Sequence, residues 1–181
     1  QLLSAVILPD GFLFGTDNAK VNIKKKLLNE FNLHTVVRMP SSVFAPYTSI
    51  TTNILFFENK GKTNETWFYR LDMPQGYKHF SKTKPMKLEH FQEVEAWWND
   101  RVEIKDENTD TYKAKKYTAE EIVSNGYNID LCGYPTEEKE ILSLIADKKS
   151  IILLNKIDLC EIPDTSVLEK LTGQKVLCIS A

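Results

Sequence analysis

The sequence predicts an α/β fold, and three stretches carry that prediction. Ile50 to Phe57 is apolar on both alternations through Ile54, Leu55, Phe56 and Phe57, and Glu58-Asn59-Lys60-Gly61-Lys62 stops it. Such a run suits a strand covered on both faces of its sheet. Leu33 to Met39 has the β-branched content of a second strand, and Pro40 removes the donor that would extend its ladder. Between an earlier apolar run, Leu2 to Leu8, and Leu33 lies a helical pattern. Strand, helix, strand at this spacing predicts a βαβ unit with a right-handed crossover into a parallel sheet.

Taken in order, Leu2–Leu8 reads as a short buried strand closed by the turn Pro9-Asp10-Gly11. Phe12-Leu13-Phe14 follows, and Gly15-Thr16-Asp17-Asn18 breaks the chain before a helix over Ala19–Phe31. Val21, Ile23, Leu27, Leu28 and Phe31 supply its inner face, leaving Lys20, Lys24, Lys25 and Glu30 to water. After the Ile50–Phe57 strand, Thr66 to Leu71 is another strand candidate, ended by Met73-Pro74-Gln75-Gly76-Tyr77. Residues 78–90 form a basic, irregular segment: a solvated loop in the plain reading, a phosphate contact in the functional one. Leu88 to Trp98 reads as a helix whose paired tryptophans pack the domain. Residues 99–116 read as a charged loop, and Thr118 and Glu121 have capping-box spacing for a helix ending at Asn125-Gly126.

The character changes after Gly133-Tyr134-Pro135, so the expected division is 1–135 and 136–181. A short amphipathic helix through Ile141 and Ile145, a strand over Ser150–Leu154, a helix over Val167–Leu171 and a strand over Lys175–Ile179 make a small α/β segment.

Composition narrows the classes. Of 181 residues 42% are apolar, enough for a core, and a net charge of -2 does not advertise a nucleic-acid partner. It does not exclude one either, since a module can leave phosphate contacts to another domain or subunit. Cys132, Cys160 and Cys178 fit neither a secreted disulfide framework nor a compact zinc site. With no basic leader and no apolar run long enough to cross a bilayer, a cytoplasmic location is expected. Gln1 opens almost directly into a strand, so the chain reads as cut from something longer.

Several stretches carry a family resemblance. They are Ala5-Val6-Ile7-Leu8-Pro9-Asp10-Gly11-Phe12-Leu13-Phe14, Asn32 to Pro40, Val43-Phe44-Ala45-Pro46-Tyr47-Thr48 and Thr52 to Phe57. Ser81-Lys82-Thr83-Lys84-Pro85, Ala96-Trp97-Trp98-Asn99 and Gly126-Tyr127-Asn128-Ile129-Asp130 continue the series. In this order and spacing they resemble the methylation subunit of type I restriction-modification systems over about residues 1–142. The resemblance implies the distal half of a Rossmann-like methyltransferase sheet. In complete members of the family that fold transfers a methyl group from S-adenosylmethionine to adenine N6 in DNA, alongside specificity and restriction subunits. The glycine-rich cofactor loop and the Asn-Pro-Pro-Phe/Tyr tetrapeptide are absent from this sequence. The chain alone is therefore expected neither to bind the donor nor to catalyse transfer, and no residue is assigned a catalytic role. The missing methyltransferase half, if made separately, becomes an expected partner.

The resemblance makes Phe44 and Tyr47 candidates for stacking around an extruded adenine, with Asn53 as an orienting polar group. The plainer reading has the two rings covering the sheet end and Asn53 capping a turn. Lys82, Lys84 and Lys87 are candidates for DNA phosphates, whereas His34 reads as a strand-edge histidine rather than a base. No metal site is expected.

The last segment is similar to the end of the G domain in tRNA-modifying GTPases. Asn155-Lys156-Ile157-Asp158 has the Asn-Lys-x-Asp form that recognises guanine, and Ser180-Ala181 follows a strand as the next base-contact element does. The resemblance makes Asn155, Lys156, Asp158, Ser180 and Ala181 guanine-binding candidates, with GTP or GDP as the alternative ligand. Gly61-Lys62-Thr63 and Asp130-Leu131-Cys132-Gly133 mimic other GTPase words without their structural context, and both read as accidents. A third reading is a non-enzymatic chimeric or interaction module. A half sheet leaves a strand edge open, so the two strand sets are expected to join in one hybrid sheet or to depend on a partner.

Overall fold

The computed structural model describes residues 3–106, 111–133, 152–155 and 176–179. The chain divides into two compact units, Gln1–Tyr134 and Pro135–Ala181. In the first, strands β1 (Leu3–Pro9), β2 (Asn32–Arg38), β3 (Thr52–Glu58), β4 (Glu65–Arg70), β5 (Ile104–Lys105) and β6 (Tyr112–Thr118) form one sheet. Its order is β1-β3-β2-β4-β6-β5. Helices α1 (Asp10–Leu13), α2 (Asn18–Glu30), α3 (Gln92–Asn99) and α4 (Ala119–Ser124) complete the unit, with a 3-10 turn at Leu88–Phe91 leading into α3.

The simple parallel crossover is corrected. β1 and β2 do run the same way, but β3 lies between them and is antiparallel to both. Among the described residues the parallel ladder of this sheet is β2 with β4. The connection Met39–Thr51 carries no helix to cross back over the sheet, and β3 returns beside β2 antiparallel. The third strand also starts later than the sequence suggests: Ile50 is 59% exposed and belongs to the loop.

Strand alternation divides the core between the two sheet faces. Leu33, Val36, Leu55 and Phe68 pack with Leu13, Leu28, Ile122 and Ile129 on one side. Val37, Met39, Tyr69 and Leu71 pack with Val94 and Trp97 on the other. A bulge between Leu33 and Thr35 lets Leu33 and Val36 face the same way despite their odd spacing.

Three further expectations change. The expected 99–116 loop contains β5 and the start of β6, which pairs antiparallel with β4. Its lysines disguise the strand because their ammonium groups lie over rings: Lys113 over Tyr69, Lys115 over Tyr112 and Tyr117, Lys116 over Trp67. Lys24 is not wet but 1% exposed, donating to the Leu13 and Gly15 carbonyls at 2.9 Å each, while Ile23 on the same helix is 56% exposed. β1 is not buried: it pairs only with β3 among the described strands, and Val6 and Ile7 are 37% and 51% exposed. The capping box forms as expected, Thr118 accepting from Glu121 N–H while the Glu121 carboxylate accepts from Thr118 N–H.

In the second unit, β7 (Ile152–Asn155) and β8 (Val176–Ile179) form a separate parallel two-stranded sheet. No hybrid sheet exists among the described strands.

Candidate functional site

Because β1, β2 and β4 share one direction, their carboxyl ends lie along one edge of the sheet. The turn of α1, the loop 39–51 and the segment 71–91 all leave from that edge, where open α/β sheets hold ligands.

Two buried arginines anchor it, and they stand opposite each other in the β2/β4 register. Arg38, 3% exposed, donates through Nη1 to the Gly133 carbonyl at 2.6 Å and through Nη2 to Asp10 at 3.3 Å and to Asp130. Asn53, facing Arg38 across the β2/β3 ladder, donates from Nδ2 to the same Asp10 carboxylate at 2.5 Å. Arg70, also 3% exposed, donates to Asp72 and Asp106 at 2.6 Å each. Burial pulls the Arg70 guanidinium toward its neutral form, but the hydrogen bonds it donates to Asp72 and Asp106 outweigh it and the net shift is upward. Each guanidinium ties a strand end to a distant segment, the α1 turn and residues 130–133 for Arg38, residue 106 for Arg70. The edge is thereby rigid before any ligand arrives.

The loop is fixed from within. Ser42 adopts φ +59, a left-handed conformation rare for serine, and its N–H donates to the Ser49 carbonyl at 3.4 Å. Its Oγ accepts the Phe80 N–H at 2.8 Å. That bond joins the loop carrying Phe44 and Tyr47 to the segment carrying the lysines. Tyr47 is 92% exposed and Phe44 41% exposed, whereas Asn53 is fully buried beneath them in sequence, at the base of the edge.

The lysines divide by their contacts. Lys84 lies 3.8 Å over the Tyr77 ring and donates to the Gly76 carbonyl at 2.9 Å. Lys87 pairs with Glu89 at 3.4 Å. Lys82 is exposed at the tip of a turn closed by Ser81 and Lys84.

His34 lies at the other end of β2, between Phe56 and Trp98, with Nδ1 2.9 Å from the Thr35 hydroxyl. Burial, aided by the Arg101 guanidinium, lowers its basicity. Phe56 and Trp98 also line an apolar groove of about 540 Å3 with Val37, Ile54 and Phe91. Burial raises the Cys132 thiol to about 12, which keeps it from acting as a nucleophile. Among the described residues no cluster of His, Cys, Asp and Glu can hold a metal, and no helix is long and apolar enough to cross a membrane.

Asn155 ends β7; Lys156, Asp158, Ser180 and Ala181 lie outside the described residues. Asp130 and Gly133, which mimic a GTPase switch word, both hold Arg38. Thr63, the tail of the other mimic, accepts from Leu33 N–H and donates to the Phe31 carbonyl.

The arginine–carboxylate anchors were not singled out from sequence. The available signal was the parallel placement of Arg38 and Arg70 at the ends of apolar strands, where an unpaired charge is expensive.

Comparison with known proteins identifies the first unit. The family described as N-6 DNA Methylase matches residues 3–141. The type I restriction enzyme EcoEI methylase subunit of Escherichia coli is 46% identical over 128 residues, covering 71% of this chain and 26% of the relative. A modification subunit of a putative type I restriction enzyme from Vibrio vulnificus YJ016 superposes with a TM-score of 0.62 at 39% identity, over 77% of this chain and 28% of that one. A chain from a structure of type I R-M system assembly and conformational transition gives a TM-score of 0.61 at 29% identity, over 94% of this chain and 35% of that one. The chain thus spans about a quarter of the curated relative it matches, and by residues 3–141 it belongs to the N-6 DNA methylase family.

Proposed function

We propose that this chain is the DNA-facing, distal part of a type I restriction-modification methylase subunit, contributing one wall of an adenine-N6 methyltransferase site. The observation that carries the reading is the convergence of three segments at one sheet edge, with Tyr47 and Phe44 exposed on a loop that Ser42 ties to Phe80 and Asn53 ties at its exit. An enzyme that modifies a base in DNA must extrude it and hold it by stacking and edge hydrogen bonds. The two rings offer stacking surfaces. Asn53 keeps its amide on Asp10, so its contribution is to fix the loop's exit into β3.

S-adenosylmethionine is the donor implied for complete enzymes of this kind. The turn after β1 offers it no cradle: Lys24 closes it onto the Leu13 and Gly15 carbonyls, and a Cβ at Gly15 would stand 2.3 Å from the Lys20 side chain. That turn does not fit the donor. Donor binding falls to the portion of the relatives that this chain does not span, with the specificity and restriction subunits and DNA as further partners.

Calorimetric titration with S-adenosylmethionine tests the division of labour. No binding is expected for the chain alone, and adenine methylation of target DNA is expected when the complementary portion of the EcoEI methylase subunit and its specificity subunit are added. Donor binding by the chain alone would overturn it, as would failure of that mixture to methylate.

The second unit keeps a separate reading as a guanine-nucleotide site, favoured by Asn155 at the end of a strand whose neighbour runs parallel. Fluorescent GDP titration of the chain and of Asp158→Asn tests it: tight binding lost in the variant supports it, and no binding removes it.

A further inference from the structure

We infer that Lys78, His79 and Lys82 form a binding site for the DNA phosphate backbone beside the Phe44/Tyr47 loop, with Lys84 bracing Gly76 and Tyr77 at the surface; this rests on the DNA reading above. Four observations lead there. The loop after β2 and the segment after β4 leave the carboxyl ends of the parallel pair, and the Phe80 N–H to Ser42 Oγ bond holds them together. Phe80 is 2% exposed and packs on Tyr77 and His90, so it fixes the backbone on which the basic residues sit. Lys78 and His79 precede that anchor directly. Lys82 follows it at the tip of a tight turn, where Ser81 and Lys84 exchange two backbone hydrogen bonds at 3.1 Å and the Ser81 hydroxyl accepts the Lys84 N–H.

The remaining cations of the segment are already engaged. Lys84 covers Tyr77 and caps the Gly76 carbonyl, and Lys87 faces Glu89. Lys78, His79 and Lys82 are exposed and carry no hydrogen bond or ion pair among the described residues. Two exposed lysines and an exposed imidazole on a backbone tied by Phe80 to the loop whose Tyr47 ring is 92% exposed are the pairing an extruded nucleotide calls for. The phosphates bind the cations, and the ring receives the base.

The test is duplex-DNA binding by the chain, measured by fluorescence anisotropy over a salt series. Replacing Lys78 and Lys82 by Ala is expected to reduce the slope of log K against log salt by about 1.8, since each phosphate contact contributes about 0.9. Lys84→Ala should leave the slope nearly unchanged, and a Lys78→Glu/Lys82→Glu variant should bind more weakly still. An unchanged slope in the double variant, or an equal loss in Lys84→Ala, overturns the site while leaving the DNA reading standing. Absence of duplex binding by the unaltered chain overturns both. Inorganic phosphate at constant ionic strength serves as competitor: displacement by millimolar phosphate would mark a site for the free anion and overturn the backbone assignment.

Discussion

The Arg38 anchor yields the sharpest test of how this edge is built. Arg38→Met keeps much of the side-chain volume but removes the guanidinium that Asp10, Asp130 and the Gly133 carbonyl share. Breaking a buried ion pair from one side costs about 3–5 kcal/mol, mostly because the remaining charge is left without compensation. Here the Asp10 and Asp130 side chains keep 20% and 10% exposure, and Asp10 retains its bond from Asn53. Partial rehydration therefore places the loss near the lower bound, about 3 kcal/mol. Urea unfolding followed by tryptophan fluorescence reads it directly, because Trp67, Trp97 and Trp98 all belong to the packed face of the same unit. Arg38→Met/Asp130→Asn should recover part of the loss, since the second change removes a largely buried carboxylate charge that no longer faces the Arg38 guanidinium. Lys26→Met, which breaks only the exposed 3.9 Å pair with Glu30, is the control and should cost no more than about 1 kcal/mol. A loss for Arg38→Met as small as that of the control, or no recovery in the double variant, would refute the reasoning.

Other consequences follow from single contacts. The His34 imidazole is less basic in the fold than its ordinary value of 6.5, so the folded state resists its protonation. Stability is full above that value and declines as pH falls below it toward the folded pKa; thermal melts between neutral and mildly acidic pH should show the fall, diminished in His34→Gln. The β1 edge exposes Val6 and Ile7 along a ladder with no further partner among the described strands, so the chain should self-associate with rising concentration in sedimentation velocity, and Ile7→Lys should suppress this. Thr118→Ala removes the hydroxyl that accepts the Glu121 N–H and should cost about 1 kcal/mol in urea unfolding.

Local signals were legible in the residues themselves. The strands at Leu33 and Ile54, the α2 helix and the Thr118–Glu121 capping box are written in apolar runs, periodicity and cap chemistry, all of which act over a few residues. The exposed loop with Phe44 and Tyr47 was legible for the same reason: Pro40 and Pro46 break the ladder, and two rings remain where no local partner needs them. Tertiary structure decided what depends on residues far apart in the chain. β3 inserts between β1 and β2, which turns an expected parallel neighbour into the edge of the described sheet and leaves Val6 37% and Ile7 51% exposed. Lys24 becomes buried because two carbonyls eleven and nine positions away meet its ammonium, and the lysines of β6 pass for loop residues until the rings beneath them are in place. The pairing of Arg38 with Asp10 and Asp130 spans 28 and 92 positions. A charge can be buried only where its compensation is brought to it, and long-range chain folding alone supplies that compensation.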